Sequence, residues 1–465
     1  MYQINFNQPV HVHFIGIGGI SMSGLAEILH ARHFTVTGSD MKESELTDKL
    51  AAEGMEIHYP QSADNIVPGI DVVVYTAAIH PDNPEFRAAE DAGIPMLTRA
   101  QLLGEIMRNY KEAINISGTH GKTTTTSMIT EILLEAHKDP TVTVGGMLQD
   151  IGGNIRVGGQ EMFVAEACEY TNSFLSFFPT IEVILNVEAD HLDFFKDIDD
   201  IRHSFKKFTE KLPKDGLLVI NKDIQHVEYF LDDLNCKAIT FGHGKDADYT
   251  ANFISFDKFA RPTYTLFYKG EALGKVELGV TGEHNIYNSL AAIAVCRELG
   301  IDMQAILTAL KNFTGTDRRF QKKGTVHGFT IIDDYAHHPQ EIAATIEAAK
   351  KYPHRKLWVV FQPHTYSRTA ALLDDFAGAL SQADEIVLAD IYAAREKNTI
   401  GISSDDLRKH MLQQNTNVSY IPNFKKIEDF LLENVKEGDV LITMGAGDIY
   451  KVGDDLLNLP GAEKA

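Results

Sequence analysis

Ala113-Ile-Asn-Ile-Ser117-Gly118-Thr119-His120-Gly121-Lys122-Thr123-Thr124 decides the fold. An apolar strand runs directly into two glycines, a lysine and a run of threonines that opens a helix. A turn of this kind presents successive backbone N–H groups to an anion, and the positive end of the helix adds to the field. Lys122 is placed to neutralise β- and γ-phosphates, and Thr123 to offer its hydroxyl to Mg²⁺. Gly118, Thr119, His120, Gly121, Lys122, Thr123 and Thr124 are therefore expected to line an ATP site. The spacing is not the common GxxxxGK[ST], because Ile116 stands where the first glycine would be. A glycine-containing strand-to-helix turn with no ligand is the alternative.

Outward from the loop, short apolar runs alternate with helical patterns. Strands are expected at His11 to Ile15, Thr35 to Thr37, Val72 to Tyr75, Met162 to Ala165, Val183 to Asn186, Leu217 to Ile220, Thr330 to Ile332, Leu357 to Phe361, Glu385 to Leu388 and Val440 to Met444. Ile286 to Leu299 reads as a long alanine-rich helix. The pattern is α/β with mostly parallel sheets. It divides into three domains: a Rossmann-like N-terminal domain over 1–108, a central P-loop ATPase-like domain over 109–315, and a Rossmann-like C-terminal domain over 316–465. With 465 residues, several cores are expected.

Carboxylates at strand ends face the phosphate loop in such a sheet, which makes Glu166 a candidate Mg²⁺ ligand. His191, in the acidic run Glu188-Ala-Asp190-His191-Leu-Asp193, is a candidate second ligand; a hydrogen-bonded strand-end histidine is the bland alternative. Near the N-terminus, Gly16-Ile-Gly18-Gly19-Ile-Ser21-Met-Ser-Gly24 follows a strand and opens a helix, and Asp40 ends the next strand. A dinucleotide fingerprint would place glycine at Ser21, so a nucleotide-sugar diphosphate suits this turn better than NAD. Formal net charge is −22, which argues against nucleic-acid and anionic-lipid partners. No signal-like or membrane-spanning apolar run is evident, so a cytoplasmic location without membrane insertion is expected. Cys168, Cys236 and Cys296 have no metal or disulfide spacing, and packing is their expected role.

Together Gly16 to Gly24, Gly118 to Thr125, Glu166-Ala-Cys-Glu169, Asn186-Val-Glu-Ala-Asp-His191, Gly282-Glu-His-Asn-Ile-Tyr-Asn288, Asp317-Arg-Arg-Phe320, Asp333-Asp-Tyr-Ala-His-His-Pro339, Phe361-Gln-Pro-His364 and Met444-Gly-Ala-Gly-Asp448 resemble the Mur ligases of peptidoglycan synthesis over essentially the whole chain. The resemblance implies ATP and Mg²⁺ as cofactors, UDP-N-acetylmuramate and L-alanine as substrates, and an acyl-phosphate intermediate, in a monomer or weak homodimer. It implies that Gly18, Gly19, Ser21, Asp40, Thr76, Ala77 and Ala78 hold the UDP-sugar. Lys122, Glu166 and His191 become catalytic, with Thr123, Glu166 and His191 on the metal. His284 and Asn288 fall on the adenine side, Arg319 on the phosphate side and Asp334 at the ribose. Tyr335, His337, His364 and Arg368 form the amino-acid pocket. Thr365 stands where several relatives carry a second arginine, so the carboxylate clamp rests on Arg368. Related ligases that accept a preformed peptide, and an NAD-dependent oxidoreductase, are the competing readings.

Overall fold

The computed structural model describes residues 2–192, 194–394, 396–414 and 416–464, so Asp193 of the acidic run lies outside the described residues. Among these, the strands form three sheets of five, ten and seven strands. The first is entirely parallel, in the order Glu56–His58, Thr35–Ser39, His11–Ile15, Val72–Tyr75, Met96–Thr98. Chain order reverses at His11–Ile15, so the turn after that strand lies at a topological switch point, where α/β sheets bind ligands.

The central sheet has a parallel core in the order Lys237–Gly242, Leu217–Asn221, Ile181–Ile184, Glu112–Ser117, Met162–Glu166, Thr141–Leu148. Glu112–Ser117 sits in the middle, buried on both faces, which its run of isoleucines permits. Two additions went unseen in the sequence: the antiparallel strand Gly153–Arg156 at one edge, and Tyr249–Phe256, Pro262–Tyr268 and Glu271–Glu277 at the other. The strand expected to reach Asn186 ends at Ile184, because Asn186 turns over the phosphate loop to bond it.

The third sheet runs Val418–Tyr420, Glu385–Leu388, Leu357–Phe361, Val440–Met444, Phe329–Asp334, Gln321–Val326, Glu463–Lys464, with the last two antiparallel. Leu357–Phe361 and Val440–Met444 are buried throughout.

The joints between these units differ in kind. One apolar core is continuous from Phe14 and Leu25 through Leu102 and Ile106 to Phe163, Phe174 and Phe205, so the first two sheets share it. The approach is tight: a Cβ on Gly24 would lie 1.4 Å from Ile155 Cδ1. The cores of the third sheet contain only residues beyond 320. Its contacts with the central domain are mostly polar or charged, with a ring contact between Phe259 and Tyr352 at 5.3 Å. Among the described residues no helix is long and apolar enough to cross a membrane.

Candidate active site

The phosphate loop is built by backbone geometry that only glycine adopts easily. Gly118 has φ +135° and Gly121 φ +85°, and helix Lys122–Glu135 starts immediately after. Asn186 fixes the middle of the loop: its Oδ1 accepts the His120 N–H at 2.7 Å and its Nδ2 donates to the His120 carbonyl at 3.0 Å. Thr119 Oγ1 accepts the Glu188 N–H at 3.0 Å. Lys122 is held inward, donating to the carbonyls of Gly118 and Thr119 and to Glu169 Oε2, the last at 3.1 Å. Burial alone would weaken its protonation, yet Glu169 and, further off, Glu166 more than offset this, so the ammonium is held above its ordinary value.

Glu166 ends its strand beside the loop and accepts the Gly145 N–H at 2.5 Å. Thr123 is buried in the first turn of the helix. His191 adopts φ +53°, packs its ring at a tilt against Tyr170 with centroids 4.5 Å apart, and puts Nε2 3.9 Å from Glu169 Oε1. Lys122 thus stands within electrostatic reach of both Glu166 and His191. Among the described residues no three His, Cys, Asp or Glu side chains close on a metal position by themselves. The donor set nevertheless suits a hard cation, since Mg²⁺ ordinarily takes one or two carboxylates and completes its shell with phosphate oxygens and water.

A cavity of about 640 Å³ opens from the loop between the central and C-terminal domains. That volume falls in the usual range for a small-molecule site. His120, Gly121, Thr124, His284, Asn288, Arg319 and Asp334 all line it, so seven of the residues expected at ATP come together there, while Gly118, Thr119, Lys122 and Thr123 belong to the same loop but do not line the cavity. Burial, with Arg319 nearby, lowers His284 to about 4 and keeps it neutral. Burial raises the Asp334 carboxyl to about 6, although it accepts the Ala336 and Phe320 N–H groups at 2.7 and 2.9 Å. Asn285 and Tyr287, quoted within the Gly282 to Asn288 motif without a role, also line the cavity, as do Phe259 and His243, which no motif marked; His243 and Tyr287 form a ring pair at 4.0 Å.

Helix Pro339–Lys350 closes one side. Its Glu341 bonds His120 Nδ1 at 3.1 Å with Oε1 and the His337 N–H at 3.0 Å with Oε2. Burial opposes charge on His120, but Glu188 and Glu341 overcome it and raise the imidazole to about 10. His337 meets Tyr335 and His364 edge-on at 5.4 and 5.7 Å. Burial, then His337 and Arg368, lower His364 to about 4, so its Nδ1 is free to accept from Arg368 Nη1 at 3.3 Å. Arg368 Nη2 also reaches Asp190 Oδ1 across the domain boundary at 3.1 Å. Tyr335, His337, His364 and Arg368 therefore form one cluster, in contact with the central domain.

In the first domain, Gly19 precedes helix Ile20–Ala31, and Gly19 and Ser21 are exposed at its N-terminus. Asp40 Oδ2 accepts the Gly18 N–H at 2.8 Å, tying the expected ribose acid to the turn itself. Thr76, Ala77 and Ala78 follow the adjacent strand Val72–Tyr75; Thr76 is half-buried and the two alanines are exposed. Arg99 was missed: its Nη1 donates to Ser21 Oγ at 3.2 Å, and burial lowers its pKa with only Cys168 acting against this. Cys168, expected to pack, is exposed, whereas Cys296 is buried.

A glycine turn at the switch point of the first sheet, a strand–loop–helix phosphate loop in the central one and a third α/β domain facing that loop define a three-domain α/β architecture with a central nucleotide-binding domain. Three family models match in that order: "Mur ligase family, catalytic domain" over 11–111, "Mur ligase middle domain" over 116–296 and "Mur ligase, glutamate ligase domain" over 318–447. The chain belongs to the Mur ligase family. It is 63% identical to a UDP-N-acetylmuramate–L-alanine ligase of Lachnospira eligens, over 98% of this chain and 100% of that one. It is 59% identical to the protein of the same name from Agathobacter rectalis, with the same coverage. Among solved structures, UDP-N-acetylmuramate-alanine ligase from Thermotoga maritima superposes with TM-score 0.79 at 31% identity, covering 97% of this chain and 98% of that one. A murein peptide ligase from Psychrobacter arcticus shares the fold at TM-score 0.70 and 24% identity, covering 97% and 98%.

Proposed function

We propose that this chain joins L-alanine to the lactyl carboxylate of UDP-N-acetylmuramate, converting ATP to ADP and phosphate. The observation that carries the reading is the position of Lys122: Cys168 stands within electrostatic reach of both Lys122 and Arg99 of the first domain, and on the other side Glu169, His191 and Asp190 lead in turn from Lys122 to Arg368 of the third. A carboxylate condenses with an amine only after one of its oxygens becomes a leaving group. The lactyl carboxylate attacks the γ-phosphorus, ADP departs, and an acyl phosphate forms. The uncharged amine then attacks the carbonyl carbon, the C–O bond to phosphate breaks, and the amide nitrogen loses its extra proton.

Each domain has a part in this. The first holds the nucleotide-sugar diphosphate on Gly18, Gly19 and Ser21, with Arg99 a half-buried cation beside Ser21. The cavity takes the nucleoside, with neutral His284 and Asn288 on the base, Asp334 at the ribose and Arg319 toward the phosphates. Lys122 exchanges Glu169 for the γ-phosphate, offsetting the repulsion between two anions that must meet. Thr123, Glu166 and His191 would hold Mg²⁺, which supplies further charge neutralisation on the transferring phosphoryl group. The third domain excludes water from the acyl phosphate when it closes through His120–Glu341 and Lys351–Glu283. Phosphate release measured with each substrate omitted in turn, and with L-alanine replaced by a tripeptide, tests the assignment. Release that persists without UDP-N-acetylmuramate or without amino acid refutes it, and preference for the tripeptide reassigns the acceptor.

A further inference from the structure

Arg368 and Asp190 face each other from opposite walls of the cleft, with side chains only 12% and 11% exposed. Neither serves its own domain's core. Arg368 has His364 Nδ1 at 3.3 Å as its other polar neighbour. Asp190 Oδ1 takes the His191 N–H at 2.7 Å, and its Oδ2 lies 3.7 Å from His191 Nε2. Thr365 positions the arginine at the start of helix Tyr366–Ala371, in the rare backbone conformation φ +63°, ψ 148°. Two opposite charges on separate domains, shielded from solvent and parted by opening the cleft, are the complement of an α-amino-acid zwitterion. Inserting one replaces a buried ion pair with two, so no charge is left uncompensated.

We propose that Asp190 is the ammonium-binding residue for the acceptor amino acid, and that the Arg368–Asp190 pair is its receptor, opened by a zwitterion whose carboxylate takes Arg368. This rests on alanine being the acceptor. The arrangement rejects simple carboxylic acids and simple amines, because each satisfies one wall and strands the opposite charge in the other. It also places the amine against the central domain, on the side where His191, Glu169 and Lys122 follow one another at 3.9 and 3.1 Å. The acceptor nitrogen is thereby held toward the phosphate loop while the third domain holds the carboxylate.

The test uses the full chain at saturating ATP and UDP-N-acetylmuramate, with L-alanine varied and propionate as a competitive inhibitor that has no nitrogen to acylate. Asp190→Asn is expected to raise the alanine KM about 10- to 100-fold, the worth of a hydrogen bond to a charged group. The same change is expected to tighten propionate about 3-fold, because Arg368 no longer has a competing carboxylate. Asp190→Ser, smaller and also neutral, should show the same opposite pair of shifts, and an unchanged thermal unfolding midpoint reports that the fold is intact. If both ligands weaken, Asp190 is a structural residue; if both tighten, it is only a blocking group; either result overturns the proposal. Wild-type phosphate release that does not depend on alanine overturns the acceptor assignment itself, a separate outcome.

Discussion

Replacing Asn186 with alanine removes both hydrogen bonds that fix the His120 peptide, at 2.7 and 3.0 Å, while leaving the backbone bond from Thr119 N–H to the residue 186 carbonyl in place. Each lost bond is worth about 0.5–1.5 kcal/mol. The loop conformation that aims its N–H groups at the phosphates is therefore disfavoured by about 1–3 kcal/mol. At about 1.4 kcal/mol per tenfold, ATP binding weakens about 5- to 150-fold. Among the described residues the bonds of Asn186 go to Thr119 and His120 of the loop and none to the first domain, so affinity for UDP-N-acetylmuramate should stay constant. Titration calorimetry of each ligand separately on the variant measures both. Asn186→Asp keeps the acceptor for the His120 N–H but loses the donor and adds a negative charge near the phosphates, so it should be the worse variant for ATP. ATP affinity within twofold of wild type in Asn186→Ala would show that the loop is rigid without this clamp, and the account of the loop would fail.

Lys122→Ala should lower turnover at least about 100-fold, the usual effect of removing one preorganised charge at the reacting group. UDP-sugar binding, followed by calorimetry, should survive, and its loss would contradict the separation of the two sites. Gly24→Ala forces a methyl against Ile155, an overpacking that costs about 1–3 kcal/mol. Ile155→Ala in the same chain should restore much of the lost thermal stability, and simple additivity of the two changes would show that the contact is not the cause. Because the Asp334 carboxyl is raised to about 6, its stabilisation of the fold is complete below the ordinary carboxyl value and is lost as pH rises through 6. The ionised form that receives a ribose hydroxyl is correspondingly depleted below 6. The KM for ATP should rise about 4-fold between pH 7.5 and 5.5, following the ionised fraction. A flat profile would show that Asp334 does not contact the nucleotide, and Asp334→Asn should remove the pH dependence.

What the sequence disclosed followed local physics. Leu357–Phe361 and Val440–Met444 are continuous apolar runs because central parallel strands are buried on both faces, and both fell where the pattern put them. The phosphate loop was legible because its glycines, lysine and threonines are consecutive. Strand Pro262–Tyr268 was not: it alternates buried and half-buried residues with threonine and tyrosine, a weaker signal than a solid apolar run. Asn186 could be quoted within a motif, but nothing near it in sequence announces that its amide closes on His120, 66 positions earlier. Arg99, Asp190 and Glu341 were invisible as site residues for the same reason. Arg99 meets Ser21 78 positions away, and Asp190 and Glu341 act across a domain boundary, which no local pattern encodes.

The contrast between the two interdomain joints has a thermal consequence. Parting the first two domains would expose Leu102, Phe163, Phe174 and their neighbours, with a large gain in heat capacity. Parting the third mainly rehydrates charges: His120 from Glu341, Arg368 from Asp190, Lys351 from Glu283. Such a joint opens with little heat-capacity change and loosens with ionic strength. The lid is thus tuned by salt more than by temperature, while the first domain moves with the central one as one piece.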